Sequence, residues 1–173
     1  MSSRHLIVVM GVSGAGKSTV GAALAQLLGV NFTDADSLHP AANVAKMAAG
    51  TPLTDDDRWP WLDLVGRALA QAPPDGLVLA CSALKRTYRD AIRAAAPDAR
   101  FVHLAVPREV LGDRVANRPG HFMPATLVDS QLEVLEPLGS DESGIVVNSE
   151  GGVEATAERA LAAMGTSVSS LDA

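Results

Sequence analysis

The chain has 173 residues, enough to bury one continuous core without disulfides, and its single cysteine, Cys81, excludes an intrachain disulfide and suits a reducing compartment. A formal charge of −6 excludes the broad basic face of a general nucleic-acid binder, so an anionic ligand must be met by a local cluster of Lys and Arg. The apolar stretch Leu6-Ile7-Val8-Val9-Met10 is too short for a signal-peptide core or a membrane span, so a cytoplasmic protein with no membrane partner is expected.

In chain order, short apolar runs alternate with amphipathic stretches, which predicts an α/β fold over residues 1–173 with helices on a five-stranded parallel sheet. His5 to Met10 is the first strand, its unbroken apolar run suiting burial on both faces. Val20, Leu24, Leu27 and Leu28 recur at helical spacing, and Gly29 follows as a stop. Val30 to Thr33 is a second strand that runs into Asp34-Ala35-Asp36. Helices are expected from Pro40 to Ala49 and from Asp55 to Ala72, then a turn at Pro73-Pro74-Asp75-Gly76. Leu77 to Cys81 is the third strand, Ala83 to Ala96 a helix, and Phe101 to Ala105 the fourth strand. Pro107 opens a helix that ends near Asn117, and Arg118-Pro119-Gly120-His121 interrupts the pattern. Thr126 to Glu136 resumes as helix, Ile145 to Val147 is the last strand, and Val153 to Met164 closes, with a tail from Gly165 expected to fray.

Gly11-Val12-Ser13-Gly14-Ala15-Gly16-Lys17-Ser18 satisfies GxxxxGK[ST] between a buried strand and a helix, with Thr19 next in line. The glycines let consecutive amides curl around phosphate oxygens at the positive end of the helix dipole. Lys17 is placed to reach the β and γ phosphates, and the Ser18 hydroxyl to ligate Mg²⁺, so ATP and Mg²⁺ are the expected cofactors. A guanine-reading N-K-x-D element is missing, and the third strand runs into Ser82 rather than an aspartate. Switch GTPases and motor ATPases are therefore disfavoured.

Asp34 and Asp36 fall at the carboxyl end of the second strand, where open α/β sheets place ligands. One carboxylate can serve Mg²⁺ and the other can hold or deprotonate an attacking hydroxyl; the competing reading is a turn capped by Asp36 or Ser37. Three blocks then carry a resemblance: Asp34-Ala35-Asp36-Ser37-Leu38-His39-Pro40 with Asn43 and Lys46-Met47, Gly50 to Leu62 around Asp55-Asp56-Asp57-Arg58-Trp59-Pro60-Trp61, and Cys81-Ser82-Ala83-Leu84-Lys85-Arg86-Thr87-Tyr88-Arg89-Asp90. A fourth is His121-Phe122-Met123-Pro124 with Ser130-Gln131. In these the chain resembles the gluconate kinases, small phosphate-loop enzymes that make 6-phosphogluconate from gluconate and ATP.

The resemblance implies a three-layer phosphate-loop kinase fold with a mobile lid over about residues 114–125, a homodimer, and gluconate as acceptor. It implies Lys17, Asp36 and Arg118 as catalytic residues, Ser18 and Asp34 at the metal, and Arg114 and Arg118 as lid cations on ATP. Asp36, His39, Arg58, Lys85, Arg89 and His121 are implied as substrate contacts. Physically, a polyol carboxylate needs hydrogen-bonding groups along its length and a cation at its acid end. Lys85, Arg89 and Arg93 recur every four residues, although a solvated face with Arg86 and Asp90 paired is the competing reading, favoured for Arg93. His39 reads equally as a donor to substrate or a packed helix start, Trp59 and Trp61 as packing, and Cys81 as core filler. Ala35 stands where the family usually has glycine, which would strain the turn if it required positive φ. The rival readings are a kinase for shikimate or a nucleoside monophosphate, and a regulatory module that binds nucleotide without transfer.

Overall fold

Alternation along β1 (His5–Met10) explains why its apolar run is unbroken: Ile7 and Val9 enter one core, while Leu6, Val8 and Met10 enter another on the opposite face. The computed structural model describes residues 4–12, 14–116 and 125–165. The other strands are β2 (Asn31–Asp34), β3 (Gly76–Ala80), β4 (Arg100–Ala105) and β5 (Gly144–Asn148), in spatial order β2-β3-β1-β4-β5 with every neighbouring pair parallel. Helices α1 (Lys17–Leu28) and α7 (Val153–Ala163) cover one face through Val20, Leu24, Ala157 and Leu161. Helices α3 (Asp55–Ala70) and α4 (Arg86–Ala95) cover the other through Leu62, Val65, Leu69 and Ile92. The remaining helices are α2 (Ala41–Ala48), α5 (Arg108–Ala116) and α6 (Ala125–Val134).

The parallel sheet sends all five strands to one carboxyl edge. The chain builds β2 and β3 on one side of β1 and then crosses to build β4 and β5 on the other, which opens a crevice at the end of β1. Residue pairs Asp34 with Ala80, Val9 with Ala80, and Ala105 with Asn148 mark that edge.

Three local departures from the sequence expectations have physical causes. Helix α4 starts at Arg86 rather than Ala83, because Ala83 has φ +45° and Lys85 is the capping residue; Ser82 to Leu84 form a loop instead. Residues Ala35–Leu38 form a 3₁₀ turn, since the Asp34 side chain accepts the Asp36 amide at 2.9 Å and caps it. Among the described residues only Ala83 has positive φ outside the glycines, so the turn asks no positive φ of Ala35, whose methyl is fully buried. The strands shift from expectation by a residue at their ends, as is usual for frayed boundaries.

Candidate active site

The phosphate loop has the shape its glycines allow. Gly14 and Gly16 take φ of +84° and +90°, and Gly16 caps α1, so the loop curls over the positive end of that helix. Lys17 Nζ donates to the Val12 carbonyl at 3.1 Å, folding the lysine back across the loop. Ser13 lies outside the described residues, whereas Gly11, Val12, Ala15 and Thr19 occupy their expected places beside Gly14 and Gly16.

Sixteen residues further along, Asp34 joins this loop to β2. The Ser18 hydroxyl donates to Asp34 Oδ2 at 2.5 Å, and Asp34 Oδ1 takes the Asp36 amide. The end of β2 therefore sets Asp34 beside the start of α1, and the turn that Asp34 caps carries Asp36 next to it. Two hard oxygen donors at this spot suit Mg²⁺, which binds through one or two protein oxygens together with phosphate and water rather than in a protein cage. Among the described residues no cluster of three His, Cys, Asp or Glu side chains could hold a metal alone. Cys81, at the end of β3, feels Lys17, Asp36 and Asp34 electrostatically, but burial dominates and pushes its thiol up to about 12. It is core filler, as its sequence context suggests.

His39 stacks on Trp61, with centroids 4.2 Å apart and planes 14° apart, and the Trp61 indole N–H donates to the Ala35 carbonyl at 2.8 Å. Asn43 Nδ2 lies 3.3 Å from His39 Nδ1 and donates to the Asp57 carbonyl at 2.9 Å. Burial lowers the His39 pKa, with Asp36 pulling the other way, so the ring is disposed to be neutral beside the acidic turn. Lys46 anchors the next helix by donating to both oxygens of Asp57, at 2.9 and 2.7 Å, while Asp57 and Thr54 complete a capping box.

A pocket of about 240 Å³ opens between α3, the loop before α4, and α6. Arg58, Trp61, Ser82, Lys85 and Tyr88 line it, and Ser130 and Gln131 form its far wall. Tyr88 and Asp55 were not singled out by sequence, yet they organise the cations here. The Tyr88 hydroxyl donates to Asp55 Oδ1 at 2.5 Å, and Arg58 Nη1 donates to the Leu53 carbonyl at 2.8 Å. The signal was present: Tyr88 is the chain's one tyrosine and follows Lys85 by about one helical turn.

Arg89 corrects the expectation of a substrate contact. Its side chain is completely buried, bonded to Glu142 at 2.8 and 3.1 Å and to the carbonyls of Ala83 and Leu84 at 2.9 and 3.2 Å. Its guanidinium is committed to holding the loop that precedes α4, leaving Arg58 and Lys85 as the cations that line the pocket among the described residues. Arg93 also reaches Glu142, at 2.7 Å, and Arg86 pairs with Asp141 at 2.8 Å, in keeping with a structural role for that face. Arg118 and His121 lie outside the described residues; of Arg114 only the backbone, within α5, is described.

A second cleft, of about 370 Å³, lies on the other side of the phosphate loop. Gly14, Gly16 and Thr19 line it together with Ser149 and Gly152 from the turn after β5 and Thr156 from α7. Its volume is sufficient for the base and ribose of a nucleotide whose phosphates lie on the loop. Sequence left Ser149, Gly152 and Thr156 unassigned because Ser, Gly and Thr in a turn and the helix start after it carry no distinctive pattern.

Residues 6–138 match the sequence family described as an AAA domain. Over 148 residues the chain is 50% identical to the gluconokinase of Gluconobacter oxydans (strain 621H), a match covering 84% of this chain and 83% of that relative. The chain belongs to the gluconokinase family. A crystal structure of a gluconokinase from Sinorhizobium meliloti 1021 superposes with a TM-score of 0.85 at 44% identity, covering 95% of this chain and 94% of that one. A shikimate kinase from Bacteroides thetaiotaomicron has a TM-score of 0.68 at 17% identity, covering 93% and 98%, and shares the fold alone. The gluconokinase likeness thus takes in the phosphate loop, the turn after β2 and the α3 to α4 pocket together, within a phosphate-loop kinase fold.

Proposed function

We propose that this member of the gluconokinase family transfers the terminal phosphoryl group of ATP to the terminal hydroxyl of gluconate, giving 6-phosphogluconate and ADP. The observation that carries the reading is Asp34, which bonds Ser18 of the phosphate loop through one oxygen and the Asp36 amide through the other. On this reading a single carboxylate links the donor and acceptor machinery.

In this reading the loop amides and Lys17 hold the nucleotide's phosphates, and Asp36 orients the acceptor hydroxyl and takes its proton. Ser18 and Asp34 would hold Mg²⁺, which when bound neutralises charge on the phosphate oxygens. Arg58 and Lys85 receive the acceptor's carboxylate, and His39 stands nearer the reacting end beside Asp36. Arg114, Arg118 and His121, in the proposed lid over about 114–125, add cations to the transferring group and exclude water. A homodimer in the cytoplasm completes the proposal on the strength of the family likeness; no helix among the described residues is long and apolar enough to cross a membrane.

An acceptor panel with ATP and Mg²⁺, scored by ADP release, tests the reading. Gluconate is expected to stimulate ADP formation, and shikimate and nucleoside monophosphates to leave it at background. Lys17→Ala and Asp36→Asn are each expected to lower turnover about a hundredfold to a thousandfold, as loss of a preorganised group in such a site does. A change of less than about twofold removes the assigned role.

A further inference from the structure

We infer that the Tyr88 hydroxyl is a positioning group that holds Asp55 back from Lys85 and Arg58, so the pair stays half neutralised yet keeps hydrogen-bond donors for an incoming carboxylate. The inference rests on gluconate as the acceptor, with its acid end in this pocket.

The distances distinguish a restraint from an ordinary ion pair. Asp55 is the first residue of α3 and is 47% exposed, so its carboxylate is free to take a strong cation partner. Charge-assisted N–H to carboxylate contacts settle at about 2.7–2.9 Å. Lys85 Nζ instead stands 3.4 and 3.5 Å from the Asp55 oxygens, and Arg58 Nη1 stands 3.7 Å away. The short contact is the one with a neutral phenol, Tyr88, at 2.5 Å. That bond is also the largest cause of the lowered Asp55 pKa.

Tyr88 is suited to restrain because it is itself fixed. It is 4% exposed, Trp59 meets its ring edge-on at 5.8 Å, and its hydroxyl oxygen accepts from Arg58 at 3.4 Å. Both cations flank the ring, with Lys85 Nζ at 5.4 Å and the Arg58 guanidinium at 5.7 Å from its centroid. A relay runs from Arg58 through the phenol to Asp55, and the carboxylate is held at its end.

The charge balance gives this arrangement a use. Two cations and one carboxylate leave a single net positive charge, which one acceptor carboxylate neutralises. If Asp55 closed fully on Lys85 and Arg58, the acceptor would have to displace an internal ion pair. If Asp55 were absent, the bare cation pair would attract any anion more strongly and with less selection. Tyr88 holds the system between these limits.

The test is a double-mutant cycle in the whole chain, read as KM and kcat for gluconate and as inhibition by gluconamide, its uncharged amide. Tyr88→Phe keeps the ring and removes the tether, so KM for gluconate is expected to rise about fivefold to tenfold with kcat within about twofold. In the Asp55→Asn background nothing remains to be restrained, and adding Tyr88→Phe is expected to change KM by less than about twofold. Inhibition by gluconamide is expected to be equal in all four chains. An equal KM rise in both backgrounds, or no rise from Tyr88→Phe, overturns the inference. If Tyr88→Phe fails to fold, Asp55→Asn decides alone: KM for gluconate is expected to fall about fivefold, and an unchanged or higher KM overturns it. A parent chain that does not phosphorylate gluconate defeats the function reading itself. A parent that does so, while Lys85→Met leaves its preference for gluconate over gluconamide intact, defeats only this inference.

Discussion

Lys85 and Arg89 stand one helical turn apart at the head of α4, carry the same charge, and end in opposite situations. The Lys85 side chain is 34% exposed at the rim of a pocket, whereas that of Arg89 is fully buried against Glu142. The difference arises outside the helix. The segment before β5 closes over Arg89, where Glu142 and the Pro137 carbonyl accept its hydrogen bonds, whereas around Lys85 it bonds the backbone of Leu84 and Arg86 and leaves the lysine side chain partly exposed. Spacing of four residues fixes the direction of two side chains, but what packs above each one decides its chemistry.

Arg89→Met probes the buried end and has the largest expected effect on stability. Removing one partner of a buried pair costs about 3–5 kcal/mol, and because Arg93 still bonds Glu142, the loss should lie near the lower figure. Melting of the purified chain is expected about 6–12 °C lower. A melt unchanged from the parent would break the comparison by placing Arg89 among the surface cations.

Lys85→Met probes the open end. KM for gluconate is expected to rise about tenfold, the worth of one charged hydrogen bond, while the melting temperature moves by less than about 2 °C. The two substitutions together separate stability from acceptor binding on one helix. A large melting shift from Lys85→Met with an unchanged KM would reverse the assignment.

The smallest effect is in the acid dependence of stability. Burial alone would raise the Glu142 carboxyl, but Arg89, the Gly139 amide and Arg93 outweigh it and hold it at about 2, against an ordinary 4.5. Its folded-state pKa is depressed, so its contribution is whole above pH 4.5 and is lost as pH falls from there toward 2. Glu142→Gln should melt lower than the parent at neutral pH, and its melting temperature should fall less between pH 5 and pH 3. Parallel curves would remove Glu142 as the source.

The parts of the site legible in sequence are those whose chemistry is local. The phosphate loop needs its glycines, lysine and serine within eight consecutive residues, and the structure curls them as the motif requires. The place of Asp34 and Asp36 at the carboxyl edge was legible because they lie at and just past a strand end, which has a known place in a parallel sheet. The start of α4 was misread because Ala83 and Leu84 look helical by composition; the Arg89 side chain and the Glu136 amide, the latter remote in sequence, take the Ala83 and Leu84 carbonyls that a local pattern assigns to the helix. Asp55 illustrates the same limit. In sequence it is one of three consecutive aspartates opening a helix, and only the approach of α4 distinguishes it from Asp56.

By itself the sequence determined the order of strands and helices, the nucleotide-gripping loop and the family likeness. Each of these is written in hydrophobic period or in residues close along the chain. The tertiary structure alone decided that Arg58 and Lys85 line the α3 to α4 pocket while Arg89 is buried, that the turn after β5 walls the cleft beside the phosphate loop, and that the Tyr88 hydroxyl makes the short contact with Asp55. Those outcomes depend on how deeply each side chain is covered by segments remote in sequence, and burial sets the strength of every charge that it surrounds.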